Sequence, residues 1–248
     1  MPPILGSSAG RAEVADVGWT PATSVVGVSE PLPMFPLSTV VFPGMSVPLH
    51  VFEDRYRMLV RHLLEEDDPV QRVFGTVAIR EGYEVGDHGA QSVYRVGCVL
   101  QLTEVDRRDD GTFDIVAVAR ERLVLEEMQR GSDYPQGLAA VLPEPEVDVP
   151  AEVLERARAT FTAFRVAMTE LQGDPYSGTL PRDPDYLAWT LSALAPLPMA
   201  ERQSLLEAED ATERLTLVTR MLTEELRAIN VIPSLPATQV ARTAWSPN

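Results

Sequence analysis

Hydrophobic and polar side chains alternate along several short segments between residues 31 and 143, and a period of two indicates β-strands with one buried face. The predicted strands are 32–37, 47–51, 73–79, 93–105, 112–128 and 138–142. Between the two longest strands, Asp109-Asp110-Gly111 predicts a hairpin with a type I′ turn, because Asp-Gly tolerates the positive φ angles of that turn. Prolines cannot donate to a ladder, so the sequence predicts four of them at strand starts, edges or turns: Pro33, Pro36, Pro43 and Pro48.

One amphipathic helix is predicted within this β-rich part, over residues 54–66, with its end before Pro69. Its predicted apolar face follows a 3.6-residue repeat and comprises Phe52, Tyr56, Leu59, Val60 and Leu63. Arg55, Arg57 and Arg61 fall on the other side and are predicted to face outward.

From residue 151 onward the spacing of apolar residues is helical. The first predicted helix carries a seam with steps of three and four residues, formed by Leu154, Ala157, Phe161, Phe164, Met168 and Leu171. Further helices are predicted over 185–195, 198–206 and 210–230. Pro198 is placed at the first position of the second, and Asp210 with Glu213 resembles a capping box at the start of the third.

These elements predict an α+β protein in five parts. Residues 1–30 form a flexible tail, 31–143 a β domain with one packed helix, and 144–150 an acidic, proline-rich linker that marks the domain boundary. Residues 151–231 form a helical bundle, and 232–248 a second tail.

The composition restricts the chemistry and the partners. The net charge is −16, and residues 31–150 carry 21 acidic side chains against 11 arginines, so binding to nucleic acid or to an anionic membrane is not expected. All 21 basic residues are arginines, and without lysine neither a P-loop nor a Ser–Lys dyad can be built. No secretory signal or membrane span is found in the sequence, which predicts a cytoplasmic protein.

Short motifs for catalysis or metal binding lack the context that their chemistry needs. Residues 6–10 match the pattern G-x-S-x-G, but no strand precedes them, so no nucleophile is predicted. His50, His62 and His88 are dispersed, and the single Cys98 is expected to be a small core residue. The sequence therefore predicts no catalytic residue, no metal site and no cofactor.

A combination of motifs around the first strands carries a family resemblance. The segments are Leu-Pro-Met-Phe-Pro-Leu at 32–37, Phe-Pro-Gly at 42–44, Pro-Leu-His-Val-Phe-Glu at 48–53 and Arg-Tyr-Arg at 55–57. Further matches lie at 74–77, 93–97 and 118–123. With these motifs, residues 32–142 resemble the N-terminal, substrate-binding domain of Lon-type ATP-dependent proteases. The helical pattern at 191–207 is similar to that of stand-alone bacterial proteins with this domain.

The resemblance implies a fold and a function. The fold is a PUA-like small β-barrel with one packed helix, followed here by the helical bundle. The implied function is recognition of protein substrates. We therefore expect a non-catalytic module that binds unfolded or apolar peptide segments. Such a module would be an accessory to proteolysis or quality control, and its partner would be a separate protease. Neither the ATPase module nor the peptidase module of Lon proteases is recognised in the chain, so it is not expected to be an enzyme.

Five residues near the barrel-to-helix corner are the candidate peptide-binding residues: Phe42, Pro43, Glu53, Arg55 and Tyr56. Two interpretations are open for each group. Arg55 either pairs with Glu53 and fixes the corner, or borders a groove together with Tyr56. Phe42 and Pro43, beside a turn, belong either to the core or to an exposed apolar contact.

Two other functions are weighed against protein binding. PUA-like barrels often bind RNA, although the negative charge of residues 31–150 argues against this function. A hydrolase is the other, but the sequence does not supply a nucleophile, a base and an orienting group together.

Overall fold

A computed structural model describes residues 31–81, 92–129, 132–172 and 178–231. The strands are β1 (Leu32–Pro33), β2 (Ser46–Val51), β3 (Val73–Glu81), β4 (Ser92–Arg107), β5 (Phe113–Gln129) and β6 (Gln136–Leu142). The helices are α1 (Asp54–Glu65), α2 (Ala151–Gln172), α3 (Pro184–Leu194), α4 (Met199–Glu207) and α5 (Ala211–Val231), with a 3₁₀ turn at Pro69–Gln71. Outside the described part lie both predicted tails, the motif at 6–10, His88 and the side chain of Leu171.

The sheet is organised around β5, its longest strand. The strand order is β1-β6-β5-β4-β3, and β2 also pairs with β5. All the named strand pairs are antiparallel. One edge of β5 pairs with β4, while its other edge pairs first with β2 and then with β6. The first half of β5 therefore lies in a three-stranded segment, β2-β5-β4.

The sheet does not close into a barrel through a continuous ladder, so the predicted barrel is not confirmed. The ladder between β1 and β6 covers only two residue pairs. Beyond it, Met34 and Leu37 form isolated parallel bridges to β3, and Phe35 donates to the carbonyl of Gly75 at 2.8 Å. Pro33 and Pro36 have no N–H, which prevents a regular ladder along this segment.

The hairpin between β4 and β5 forms at the predicted place with a different turn. The amide of Gly111 donates to the carbonyl of Arg108, and the amide of Arg108 donates to the carbonyl of Thr112, both at 3.0 Å. This pattern is a three-residue loop with glycine in the last position, where φ is +83°. The prediction of a two-residue type I′ turn was therefore wrong, although the glycine fills the required left-handed position.

Two hydrophobic clusters occupy opposite faces of the sheet. Successive residues of a strand point to opposite sides, so Cys98 and Leu100 belong to the large cluster and Val99 to the small one. In the small cluster, Met34 packs directly on the backbone of β3. A Cβ atom at Gly75 would lie 2.5 Å from the sulfur of Met34, so a larger residue there would displace the Met34 side chain.

The large cluster joins the strands to all five helices. It contains the predicted seam of α2, of which Ala157, Phe161, Phe164 and Met168 are buried, together with apolar residues of α3, α4 and α5. It also includes Val149, from the segment predicted as a linker. Because the four C-terminal helices share their core with the sheet, a separate helical bundle is not confirmed. The domain boundary at 144–150 stays a prediction.

Helix α1 confirms most of the predicted apolar face, since Tyr56, Leu59, Val60 and Leu63 are buried. The inclusion of Phe52 was wrong. Phe52 precedes the helix by two residues and its side chain is 52% exposed. It continues the alternation of β2 instead, on the solvent side with Pro48 and His50.

The starts of α4 and α5 follow their sequence patterns in part. The sequence predicted Pro198 as the first helical residue of α4, but it is the N-cap. At α5, Asp210 accepts a hydrogen bond of 2.9 Å from the amide of Glu213, which is one of the two bonds of a capping box. The carboxylate of Glu213 accepts from the amide of Glu209 instead of that of Asp210. None of the described helices is long and apolar enough to span a membrane.

Cys98 lies in the core, as predicted, and its thiol donates to the carbonyl of Val41 at 3.2 Å. Burial raises the pKa of this thiol well above its ordinary value. A raised pKa in the folded state means that the associated stability is present below about pH 8.5, the ordinary thiol pKa, and is lost as the pH rises beyond it.

We therefore expect the native Cys98 thiol to resist a colorimetric thiol reagent near pH 8 and to react once the protein is unfolded in urea. We also expect the free energy of unfolding to decline above about pH 8.5 more steeply in the native sequence than in Cys98→Ala. Equal declines in the two proteins would contradict this role of the thiol.

Candidate functional site

Three of the five predicted site residues meet at the corner between β2 and α1. Arg55 forms an ion pair of 2.9 Å with Glu53, and its guanidinium lies 4.6 Å from the ring centroid of Tyr56. The ring of Tyr56 is buried and stacks on Phe35, with 3.9 Å between centroids. These contacts fix the start of α1 on the sheet, as the structural interpretation of Arg55 predicted.

The other two predicted residues belong to the core. Phe42 is fully buried and Pro43 is buried beside it. The ring of Phe42 lies 6.2 Å from that of Trp189, and the guanidinium of Arg202 lies 4.9 Å from the Phe42 centroid. Helices α3 and α4 therefore cover this turn, so Phe42 and Pro43 are not placed to contact a peptide at the surface.

Next to the corner, the solvent side of β2-β5-β4 forms a concave surface, which we call the strand face. The open pocket that it lines has a volume of about 620 Å³. It has three rows of side chains, one from each strand. β2 contributes Pro48 and His50, β5 contributes Asp114 and Val116, and β4 contributes Glu104 and Asp106.

A β-bulge determines which side chains of β4 reach the strand face. The register between β4 and β5 shifts between Leu102 and Glu104, and the hydroxyl of Thr103 donates to the carbonyl of Val116 at 3.0 Å. Before the bulge, the even-numbered residue Leu102 is buried in the core. After it, Glu104 lies opposite Val116 and is exposed, as is Asp106. The bulge thus turns two carboxylates towards solvent.

The electrostatics of the strand face are uneven. His50 Nδ1 lies 2.7 Å from Asp114 Oδ1, and Arg108 Nε donates to Asp114 Oδ2 at 2.6 Å. These hydrogen bonds, that of His50 first, hold the pKa of Asp114 below its ordinary value. Within the described part of the chain, Glu104 and Asp106 have no hydrogen bond or ion pair. Asp114 is hydrogen-bonded to two basic groups, whereas Asp106 is attracted to Arg108 only at longer range.

Phe52 extends the β2 row of the strand face. It stacks against His50 with 6.0 Å between ring centroids, and half of its side chain is exposed. An aromatic side chain exposed beside a concave surface can serve as an anchor for a binding partner. The sequence analysis missed it because positions 52, 56, 59 and 63 also fit a helical repeat.

A second arrangement that the sequence analysis missed is a buried ionic cluster, which we call the arginine cluster: Arg122, Glu144, Trp189 and Arg214. Arg214 is fully buried and Arg122 is 3% exposed. Glu144 accepts from Arg214 at 2.6 Å and forms an ion pair of 2.8 Å with Arg122. The guanidinium of Arg214 lies 3.4 Å from the centroid of Trp189.

The carbonyl groups at the end of α4 complete the arginine cluster. Arg122 donates to the carbonyls of Leu206 and Ala208, at 3.1 and 2.7 Å, and Arg214 donates to those of Leu205 and Ala208, both at 3.0 Å. The C-terminal end of a helix favours cations, which helps to offset the cost of burying two of them. Burial lowers the pKa of Arg214 while Glu144 opposes the change. The arginine cluster joins β5, the 144–150 segment and three helices.

No group of residues suited to a metal ion is found among the described residues. The architecture is that of an α+β protein with an open, mainly antiparallel sheet covered on one face by helices. The strand face is a concave surface of this sheet that is accessible to solvent.

The family follows from comparison with known proteins. The family model for the ATP-dependent protease La (LON) substrate-binding domain matches residues 31–224 of the sequence, which is most of the chain. The chain belongs to this family. The match extends well beyond residue 142, so the family domain includes the helices as well as the sheet.

Similar solved structures support the fold. A Lon N-terminal domain protein from Xanthomonas campestris superposes with a TM-score of 0.54 at 23% identity, covering 75% of this chain and 95% of that one. The N-terminal domain of the Mycobacterium avium complex Lon protease gives a TM-score of 0.52 at 21% identity, covering 78% and 98%.

Curated relatives are full-length proteases. Lon protease 2 of Syntrophobacter fumaroxidans is 28% identical over 213 residues, which is 83% of this chain and 26% of the relative. The Lon protease of Escherichia coli K12 is 26% identical over 204 residues, 81% of this chain and 25% of the relative. The chain thus spans about a quarter of the length of these proteases.

Proposed function

We propose that this chain is a non-catalytic protein-binding module that captures segments of unfolded or apolar polypeptide on the strand face. The observation that carries the proposal is Phe52, a large apolar side chain exposed at the edge of a concave surface. Membership of the family of Lon substrate-binding domains supports the same conclusion. We also propose that a separate protease processes the captured protein in the cytoplasm.

The strand face suits weak, reversible capture. Complete burial of one large apolar side chain is worth roughly 1.5–3 kcal/mol, and Phe52 can gain only part of this because half of it is already covered. Pro48 and Val116 add smaller apolar areas. After the cost of ordering a flexible peptide, affinities in the micromolar range or weaker follow.

Geometry also bears on the alternatives. An RNA partner would meet the exposed carboxylates Glu104 and Asp106 on the strand face, which repel phosphate. The description of the fold as PUA-like is retained only as a proposal. Its support is that two isolated bridges connect Met34 and Leu37 to β3, the strand at the far edge of the sheet. It does not alter the proposed binding function.

Fluorescence anisotropy can test the proposal with a labelled, disordered peptide whose valines and tyrosines are separated by serine and glycine, without net charge. We expect saturable binding, weakened about 3- to 10-fold by Phe52→Ala because part of one aromatic contact is lost. The matched control is Val166→Ala, which removes an exposed apolar side chain from α2, outside the strand face. Absence of binding, or equal effects of both substitutions, would refute the proposed site.

A further inference from the structure

The carboxylates of the strand face have no role in purely apolar capture. We propose that they select peptide segments in which arginine or lysine alternates with apolar residues. This inference rests on the proposed function and specifies its substrate class.

The acidic side chains of the strand face differ in whether a ligand can pair with them. Asp114 already forms hydrogen bonds with His50 and Arg108, while among the described residues Glu104 and Asp106 form neither a hydrogen bond nor an ion pair. Arg107 points to the opposite side of β4, because alternate residues of a strand face opposite ways. The β4 row therefore offers two negative charges to a ligand.

The spacing of the two carboxylates along β4 matches the repeat of an extended peptide. Glu104 and Asp106 are two residues apart on one strand, which places their Cα atoms about 7 Å apart. An extended peptide has the same repeat between the side chains on one of its sides. Two cationic side chains at positions i and i+2 can therefore face these two carboxylates together.

The β2 row of the strand face differs from the β4 row. Across β5 from the carboxylates, the β2 row presents Pro48, followed by His50 and the exposed ring of Phe52. The strand face is thus acidic on the β4 side and largely apolar on the β2 side. A segment with both basic and apolar side chains complements both rows, whereas an acidic segment is repelled by one of them.

Nearby cations offset this charge only in part, since Arg108 is bound to Asp114 and attracts Asp106 only at longer range. Arg57 pairs with Asp54 and also approaches the carbonyl of Gly111, at 3.5 Å. The hairpin tip adds Asp109 and Asp110, and the hydroxyl and amide of Thr112 donate to Asp110, which holds the pKa of that carboxyl below its ordinary value. The surroundings of the strand face therefore remain negative at neutral pH.

The test uses three labelled peptides with one apolar pattern and with arginine, serine or glutamate at the polar positions. Anisotropy titrations at low and at physiological salt should give the tightest binding for the arginine peptide and the weakest for the glutamate peptide. The preference should diminish with salt, because exposed charges are screened.

Two double variants locate the effect. The double variant Glu104→Gln with Asp106→Asn should weaken binding of the arginine peptide about 3- to 30-fold, which is the range expected for two surface ion pairs. Its affinity for the serine peptide should be unchanged. The matched control is Glu66→Gln with Asp67→Asn, which removes two exposed acids from the far end of α1, about 18 Å along the helix from its start.

The outcomes distinguish this inference from the function on which it rests. Equal binding of the arginine and serine peptides overturns the selectivity and leaves the capture function intact. Loss of selectivity in the control variant instead of the strand-face variant overturns the assignment to Glu104 and Asp106. Failure of all three peptides to bind overturns the proposed function and this inference together.

Discussion

Replacing Glu144 with alanine is expected to lower the free energy of unfolding by about 3 kcal/mol, because it removes the ion-pair partner that the buried Arg122 and Arg214 share. We place the effect at the lower end of the range for broken buried ion pairs for two reasons. Glu144 retains some contact with water, and the carbonyls at the end of α4 still accept from both arginines. Urea unfolding followed by tryptophan fluorescence can measure it, since Trp189 lies against Arg214.

The control for this experiment lies two residues away in the same segment. Glu146 is exposed, and Glu146→Ala should change the free energy of unfolding by no more than about 0.5 kcal/mol. Equal stability of the two variants would show that the 144–150 segment is a solvated linker, as the sequence predicted, and that the arginine cluster contributes little.

The same cluster connects the architecture to the proposed function. It attaches the C-terminal helices to β5, and the first half of β5 forms the middle row of the strand face. Because the sheet and the helices share one hydrophobic core, the strand face is held in one shape before a ligand arrives. A preformed surface loses less conformational entropy on binding, so a modest contact area is sufficient for capture.

Periodicity in the sequence was sufficient to predict most strands and helices, and the motifs around the first strands were sufficient for the family resemblance. It was not sufficient to place Phe52, because this residue stands where a strand pattern and a helix pattern overlap. Alternation groups it with Pro48 and His50, while helical spacing groups it with Tyr56 and Leu59. Only the end of β2 at Val51 and the start of α1 at Asp54 decide between the two.

The arginine cluster could not be predicted because its members come from distant parts of the chain. A segment with three prolines and three acids between residues 143 and 150 is ordinarily solvated, and only the approach of Arg122 and Arg214 makes Glu144 structural. One indication was present in the sequence: Arg214 lies within the apolar face of α5, beside Leu215 and Val218. A charged residue on such a face predicts a buried partner without identifying it.

Phe42 and Pro43 illustrate the same limitation for the predicted site. Beside a proline-glycine turn, an aromatic residue can be a surface contact or a core residue, and local sequence does not distinguish them. The decision comes from Trp189 and Arg202, which reach this turn from α3 and α4. The pairing of Arg55 with Glu53 was easier to predict, because the two residues are two positions apart in the sequence.

Replacing Phe42 with alanine is expected to lower the free energy of unfolding by about 3–5 kcal/mol, because it creates a cavity in the shared core and removes the ring over which Arg202 lies. The smaller change Phe42→Leu should cost about 1.5 kcal/mol or less and give a folded protein for binding measurements. Both values can be taken from urea unfolding curves.

Phe52→Ala is the matched comparison, because it removes the same side chain from an exposed position ten residues along the chain. Its free energy of unfolding should change by no more than about 0.5 kcal/mol while its peptide affinity falls. Phe42→Leu should show the reverse, with reduced stability and unchanged affinity. If Phe42→Leu instead lost affinity at full stability, the ring would be a peptide contact, and the strand face would not be the binding surface.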